Sequence, residues 1–480
     1  SESIEPLEVE YTDYSVWENT LINEDKLSDD KKYWLNCFKD FDFETLNLPF
    51  DYTVPANQTY TGNKLYNHLE QSIIDEVSTF AKEQHVSTYS VFLTALFVTL
   101  YKYTGQTDIV IGSPVANRSI ECLQNIIGMF VNNIALRTKI LETQSVSDLI
   151  TFVNNTVTGA LDHQIYPYDM LVKDLQVTVD HSRNPLFDVV LTYQNQEDTS
   201  TLTNNKAEIL PTVTNTAKFA ITLEIAPKSN QINLEYRSDL FKENTMTSFL
   251  KHYLFVLKQI IEGFNDDVQN VNIITNDEQK LLDKFNNTYG KINRAPVSKI
   301  FEEQAVLHAN DVAVICDDKF LTYKELNERA NSLAHYLISK GVKPNDIIAI
   351  MTNRSLETIV CMLGILKAGA AFLNVDPTYP IDRTEYYIND SKIERVLTQK
   401  ELREKVAQIK NSIEIDLDNT EIYGKHTSNP NVSVKETDLS YIIYTSGSTG
   451  TPKGVMLNQI GMSNMVQAMT KVLDYLKEGN

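Results

Sequence analysis

The stretch that most constrains this chain lies near its C-terminal end. It runs Asp438-Leu-Ser-Tyr-Ile-Ile-Tyr444, then Thr445-Ser-Gly-Ser-Thr-Gly-Thr-Pro452, then Lys453-Gly-Val455. Tyr441 to Tyr444 is short, aromatic and β-branched, which predicts a buried strand. The residues from Thr445 to Pro452 carry no apolar side chain large enough to serve a core. Gly447 and Gly450 let the backbone take positive φ and approach a ligand closely. The hydroxyls of Thr445, Ser446, Ser448 and Thr449, with backbone N–H groups, are suited to surround an oxyanion. Lys453 adds a mobile point charge of the kind that holds a phosphate. The pattern is a phosphate cradle, but not the P-loop. That motif needs Gly-x-x-x-x-Gly-Lys-Ser/Thr, and here Thr451 and Pro452 separate Gly450 from Lys453. A run of Ser, Thr and Gly also reads as a flexible linker; the strand leading in and Lys-Gly-Val leading out favour the cradle.

Bulk properties narrow the function classes. At 480 residues the chain has room for two or three domains with full cores. A net charge of −21 argues against a nucleic-acid binder, which needs a basic stripe. Cys37, Cys122, Cys316 and Cys361 are far apart, so neither a disulfide framework nor a zinc site follows and a reducing, cytoplasmic compartment is expected. No metal-ligand spacing occurs. The apolar run Ile359 to Leu366 is too short to span a bilayer, so no membrane role is expected. The chain opens on Ser-Glu-Ser-Ile-Glu-Pro, which lacks both the basic start and the apolar centre of a signal peptide. Without an initiator Met it reads as an internal piece of something longer.

Taken in order, the first half alternates helices and strands. Tyr11 to Trp17 is aromatic-rich, and Ser28 is placed to cap a helix carrying Tyr33, Trp34 and Phe38. A strand is expected at 64–69 and a helix at 72–84. A second helix, capped by Thr88 and stopped at Gly105, is apolar almost all round and so belongs in the centre. Strands follow at 108–115, 127–137 and 189–193, with a turn at 162–169 into a helix at 170–175. The Asn- and Thr-rich segment 195–206 reads as a loop. Strands at 219–226 and 231–236 and a helix at 244–262 close an α/β domain.

The second half is joined through a polar helix at 276–285 and a turn-rich stretch, 286–296. A helix at 298–308 and a hairpin around Asp317-Asp318-Lys319 come next. Thr322-Tyr-Lys-Glu325 is a capping-box pattern that opens a helix running to Gly341. Strand 347–351, helix 356–368 and strand 371–375 make a βαβ unit, which implies parallel strands. A strand at 395–397, a helix at 400–409, a strand at 413–417 and a final helix at 460–473 extend it.

Two resemblances emerge from these residues. The 441–455 string closely resembles the phosphate loop of the adenylate-forming superfamily, in particular the adenylation domains of nonribosomal peptide synthetases. Leu321-Thr-Tyr-Lys-Glu-Leu326 and Leu366-Lys-Ala-Gly-Ala-Ala-Phe-Leu-Asn-Val-Asp-Pro377 are similar to that family's first two core motifs, in order, and have scaffold value. Gln459 stands where relatives often carry His. In the first half, Tyr11–Trp17, Ile127–Arg137, His163–Asp169 and Asp180–Leu186 resemble the later motifs of peptide-synthetase condensation domains, in order and spacing. The last of these usually opens with Arg-Asp, whereas Val179 precedes Asp180 here. The active-site motif His-His-x-x-x-Asp-Gly of that family is not present; no two histidines are adjacent in this sequence. His163 and His181 are candidate bases on generic chemistry, yet with no paired nucleophile they read as structural, as do Arg137 and Arg183.

The resemblance implies an α/β chain: a chloramphenicol-acetyltransferase-like lobe at 1–275, a linker at 276–296, and the N-terminal part of an adenylate-forming domain, mostly parallel sheet, at 297–480. The bacterial parent would activate an amino acid as its adenylate with ATP and Mg²⁺, load a phosphopantetheine-bearing carrier domain, and condense an upstream thioester onto it, as in antibiotic biosynthesis. Upstream and downstream carrier domains are the implied partners. Thr445, Ser446, Gly447, Ser448, Thr449, Gly450 and Lys453 are the implied ATP-phosphate contacts. The competing readings are a free-standing acyl- or aryl-CoA ligase, against which the first 280 or so residues count, and a non-catalytic module that docks carrier domains. By the same resemblance, the amino-acid pocket and the catalytic lysine would lie beyond Asn480. The 480-residue chain alone is therefore expected to show no amino-acid-dependent pyrophosphate exchange. Exchange above background with any common amino acid, abolished by Lys453→Ala, would overturn that expectation.

Overall fold

The computed structural model describes all residues except 1–6, 179, 195–214, 408–411, 416–418, 420, 447–449 and 478–480, and the side chains of 412, 414 and 474–477. The loop expected at 195–206 lies outside the described residues. The chain divides into two compact units, Ser1–Asn287 and Thr288–Asn480.

The first unit opens with helices α1 (Tyr11–Asn23) and α2 (Ser28–Cys37). Strand β1 (Gly62–His68) is followed by α3 (Gln71–Glu83) and α4 (Thr88–Thr104). Strands β2 (Asp108–Val115) and β3 (Asn132–Lys139) come next, then α5 (Val146–Asp162) and α6 (Tyr168–Asp174). Strands β4 (Val189–Tyr193), β5 (Ile221–Ala226) and β6 (Gln231–Arg237) complete the sheet, ahead of α7 (Glu243–Glu262) and α8 (Asn276–Asn286). The sheet order is β1-β6-β5-β4-β2-β3, with β4 parallel to both neighbours and the other pairs antiparallel. Every residue from Ser90 to Tyr101 is buried, because α4 packs between α3, α5 and α7. That is the central helix its all-round apolarity predicts.

Caps and ends differ from expectation where local chemistry had near-equal options. Ser87, not Thr88, caps α4, its hydroxyl accepting from the Ser90 N–H at 3.0 Å. Ser28 is the first residue of α2 and Leu27 occupies the cap. The strand expected at 127–137 begins only at Asn132, since the pairing of β2 with β3 starts at Val115↔Asn132. Tyr11–Asn23 is helical, with an acidic capping box from Glu10 and Asp13.

In the second unit α9 (Val297–Leu307) precedes the hairpin of β7 (Val312–Cys316) and β8 (Lys319–Thr322). The Thr322 capping box forms: its hydroxyl accepts from the Glu325 N–H, and the Glu325 carboxylate accepts from the Thr322 N–H at 2.9 Å. It opens α10 (Tyr323–Ser339), followed by β9 (Ile347–Met351), α11 (Leu356–Lys367) and β10 (Ala371–Asn374). Then come α12 (Ile381–Asp390), β11 (Arg395–Thr398), α13 (Arg403–Ala407) and β12 (Ser412–Glu414). Strands β13 (Leu439–Thr445) and β14 (Lys453–Asn458) and helix α14 (Gln459–Lys477) end the unit. The sheet runs β12-β11-β9-β10-β13-β14, parallel throughout except for the antiparallel edge strand β14. One apolar cluster joins the sheet to α10 and α11, and a second joins it to α12 and α13. The sheet is therefore covered on both faces, as parallel sheets require. No helix among the described residues is long and apolar enough to cross a membrane.

Helix α8 is held to the first unit by one polar network. The His252 ring on α7 meets the Tyr103 hydroxyl at 2.7 Å through Nδ1 and Glu278 at 2.8 Å through Nε2. Glu278 also closes the capping box of α8 with Thr275. Burial alone would raise the Glu278 carboxyl; the Thr275 N–H, the His252 ring and the Thr275 hydroxyl outweigh it and bring the group down to about 2, from an ordinary 4.5. A depressed carboxylate stabilises the fold fully above its unfolded value, and that stability is lost as pH falls through the folded value. Comparing urea unfolding of the wild type and Glu278→Gln is expected to show a constant stability gap above about pH 5 that closes between about pH 4.5 and 2. Both tryptophans, Trp17 and Trp34, lie in the first unit, so their fluorescence reads this unit alone.

Candidate functional site

The small-residue segment sits at the carboxyl end of β13, the edge of a parallel sheet outside which ligands of open α/β folds bind. Antiparallel pairing sets Thr445 opposite Lys453, so the segment between them closes a hairpin. Thr445, Ser446, Gly450 and Lys453 are all exposed, and Gly450 takes φ of +81°, a conformation a side chain strains to adopt. Gly447, Ser448 and Thr449 lie outside the described residues. Lys453 makes no ion pair with any other described residue. The structure thus brings a cation and two hydroxyl-bearing residues to one end of a fixed hairpin. No group of three or more His, Cys, Asp or Glu side chains among the described residues is placed to hold a metal ion.

Residues that sequence reasoning passed over hold both ends of this hairpin. Tyr444, one residue before Thr445, stacks on Tyr387 of α12 with ring centroids 4.1 Å apart and planes 13° from parallel. Its hydroxyl donates to Asp390 Oδ2 at 2.6 Å and lies 2.8 Å from the Ser391 hydroxyl. Burial, with the Asp390 carboxylate behind it, pushes the Tyr444 phenol up to about 12, so it stays a donor. On the other side, the Tyr386 hydroxyl donates to the Pro452 carbonyl at 3.0 Å. Arg383 lies over the Tyr379 ring at 4.2 Å and donates through Nε to the Tyr387 hydroxyl at 2.7 Å. The readable signal was the four-residue spacing of Arg383 and Tyr387, and of Tyr386 and Asp390, on one short helix, with Tyr379 just ahead of it.

In the first unit the four quoted motifs are stitched to one another. The Tyr11 hydroxyl donates to the Met129 carbonyl at 3.0 Å, and the Tyr14 ring packs on Phe130 at 4.5 Å between centroids. The approach is close enough that a side chain at Gly128 would strike the Tyr11 ring at 2.2 Å. Asn132 donates to the carbonyls of Gln164 and Tyr166, both at 2.8 Å, and accepts from the Tyr168 N–H at 3.2 Å. The Tyr168 hydroxyl in turn donates to the Pro185 carbonyl. Each motif therefore anchors the next.

Of the two candidate bases, His163 is engaged elsewhere. His163 Nδ1 meets Asp30 at 2.7 Å, its ring stacks on Tyr33 at 4.2 Å, and its carbonyl accepts from the Trp34 indole at 3.0 Å. It fastens α2. Arg137 grips Asp108 with two hydrogen bonds, at 2.8 and 2.6 Å, and donates to the Cys37 carbonyl at 2.8 Å. The Asp108 carboxylate raises its already high value. Arg183 lies 3.5 Å from Asp188, whose carboxyl is pushed up by burial. The described contact of His181 is a backbone one, its carbonyl accepting from the Gln58 N–H at 2.9 Å. His163, Arg137 and Arg183 are fastenings of the scaffold.

Comparison with known proteins agrees with this division. A condensation-domain family model matches residues 1–282, and an AMP-binding enzyme model matches residues 301–479. Tyrocidine synthase 3 of Brevibacillus parabrevis is 36% identical over 97% of this chain, and bacitracin synthase 2 of Bacillus licheniformis is 37% identical over 98%. The chain spans 7% of the first of these relatives and 18% of the second. The fold is similar to a crystal structure of a four-domain nonribosomal peptide synthetase bound to AMP and glycine, with a TM-score of 0.79 and 22% identity, over 93% of this chain and 34% of that one. Since the first match takes in more than half of the sequence, the chain belongs to the condensation-domain family, with an AMP-binding segment joined behind it as in the nonribosomal peptide synthetases.

Proposed function

We propose that this chain is part of a nonribosomal peptide synthetase module that activates an amino acid with ATP and condenses it with an upstream thioester. In this reading 1–275 is the C-terminal lobe of a condensation domain, 276–296 the joint, and 297–480 the N-terminal part of an adenylation domain. One observation carries the phosphate assignment: the exposed Lys453 set opposite Thr445 at the carboxyl edge of a parallel sheet, within the segment that matches AMP-binding enzymes. A free-standing ligase accounts poorly for a condensation match that fills residues 1–282.

The chemistry follows from charge. A carboxylate attacks the α-phosphorus of ATP, the P–O bond to the β-phosphate breaks, and pyrophosphate leaves with the electron pair. Lys453, the hydroxyls of Thr445, Ser446, Ser448 and Thr449, and backbone donors including Gly447 and Gly450 would hold that leaving charge. Donors aimed at developing charge accelerate a step more than they aid ground-state binding. Mg²⁺ would accompany the nucleotide. Phosphopantetheine would belong to the partner carrier domains, and a cytoplasmic location suits ATP use.

In the full synthetase, Lys453→Ala is expected to slow adenylation with little change in the amino-acid Michaelis constant. Loss of one such contact costs on the order of 2–4 kcal/mol, roughly thirty- to a thousandfold in rate. Lys453→Arg is expected to recover little, since a planar fork does not replace a point charge. Steady-state kinetics varying ATP and amino acid separately decide the matter. If Lys453→Ala alters only the amino-acid Michaelis constant, the phosphate assignment is wrong.

A further inference from the structure

Among the described residues, three features converge on the ends of the candidate loop, and all three come from helix α12 or the residue that follows it. The Tyr386 hydroxyl holds the Pro452 carbonyl at 3.0 Å, immediately before Lys453. Tyr387 stacks on Tyr444 at 4.1 Å, immediately before Thr445. Asp390 and Ser391 fix the Tyr444 hydroxyl at 2.6 and 2.8 Å. Tyr387 is buried, 3% exposed, and its hydroxyl is held by Arg383, so the stacking surface is itself rigid. The Thr445–Lys453 pair is the last of the β13–β14 ladder, where a hairpin frays first unless it is pinned.

We infer that Tyr386 and Tyr444 are positioning residues for polyphosphate binding, holding the Thr445–Lys453 pair to helix α12 so that the lysine meets its anion without first being ordered. The inference rests on the phosphate reading of Lys453. A preorganised cation binds more tightly because the cost of fixing it is met in folding. The Tyr386 ring also meets Tyr387 and Tyr444 edge-on, but its hydroxyl donates to the Pro452 carbonyl, so the influence of that hydroxyl on an anion runs through the main chain into Lys453. A purely structural tyrosine would change stability without any dependence on Lys453.

The test is a double-mutant cycle on the 480-residue chain, titrating inorganic tripolyphosphate by calorimetry in low salt. Lys453→Ala is expected to weaken binding about tenfold or more. Tyr386→Phe removes one hydrogen bond from a residue 37% exposed, so the fold survives, and is expected to weaken binding about three- to tenfold. Tyr444→Phe, which keeps the stacked ring and loses the Asp390 and Ser391 bonds, is expected to act in the same direction. In the Lys453→Ala background both tyrosine effects are expected to vanish, since coupled residues are not additive. If Lys453→Ala weakens binding but the tyrosine variants do not, or do so equally in both backgrounds, the positioning role is overturned while the phosphate reading stands. If Lys453→Ala leaves binding unchanged, the phosphate reading itself falls.

Discussion

The pairing of β13 between a parallel neighbour and an antiparallel one is the constraint on which the second unit turns. On one side Phe372 and Leu373 of β10 pair in parallel with Tyr441 and Ile442. On the other, β14 runs back along it from Asn458 opposite Leu439 to Lys453 opposite Thr445. A parallel neighbour fixes which end of β13 lies at the carboxyl edge of the sheet; an antiparallel one forces the chain to turn there. Together they make a hairpin at the carboxyl edge of the sheet, and the turn has to be built from small, polar residues. The composition of 445–452 follows from that geometry as much as from any ligand. What goes beyond geometry is a cation at the exit of the turn, Lys453, that makes no ion pair among the described residues.

How much of this was legible depended on whether the signal was local. The βαβ unit at 347–375 could be read because two continuous apolar runs flank an apolar helix, and the parallel register of Ala371 with Ile347 matches. The capping box at Thr322 is a four-residue pattern and it formed as written. Strand β14 was not read. Lys453-Gly-Val-Met-Leu-Asn458 has no alternation, and Val455 and Met456 are exposed, so it is a strand only because β13 pairs with it. Helix α12 was passed over for a related reason. Its stripe is made of Tyr387, Ile388 and Thr384 rather than aliphatic residues, and it begins after Pro380, which reads as loop punctuation. The segment 146–162 was legible and went unread: Ser145 caps it and Leu149, Ile150, Val153 and Val157 keep helical spacing. The candidate loop could be nominated because its residues form a contiguous string. The residues that hold it were not, since Tyr386 and Pro452 are 66 positions apart.

The first unit shows a different use of polar side chains. Asn132, Arg137, Tyr168 and His163 stand where sequence patterns of functional families draw attention, yet each spends its hydrogen bonds on the chain itself. The chemistry explains why such residues are employed. An amide such as Asn132 donates two bonds and accepts two in a fixed plane, so it locks two loops and a helix start at once. An arginine fork closes on Asp108 and still has a donor for the Cys37 carbonyl. Apolar contacts do not specify register in this way, being non-directional. In this unit polar residues fix how non-adjacent segments meet.

Lys367 carries the same logic into the second unit, at greater cost. It belongs to the Leu366-Lys-Ala-Gly run that reads as scaffold, and its ammonium is fully buried, 2.7 Å from Glu302 of α9. Burial pulls the lysine below its ordinary value, while Glu302 opposes that fall. The carboxylate also receives Lys299 at 2.9 Å, and Asn429 lies 3.4 Å from the buried ammonium. Pairs of this kind seldom add net stability over well-packed apolar residues, but losing one partner strands a buried charge, a penalty of about 3–5 kcal/mol. An apolar side chain at 367 would pack against α9 in several registers; an ammonium accepts only the one that reaches Glu302. Helix α11 leads straight into β10, the parallel neighbour of β13. Lys367 thus ties the end of α11 to α9, just ahead of the strand that pairs with β13.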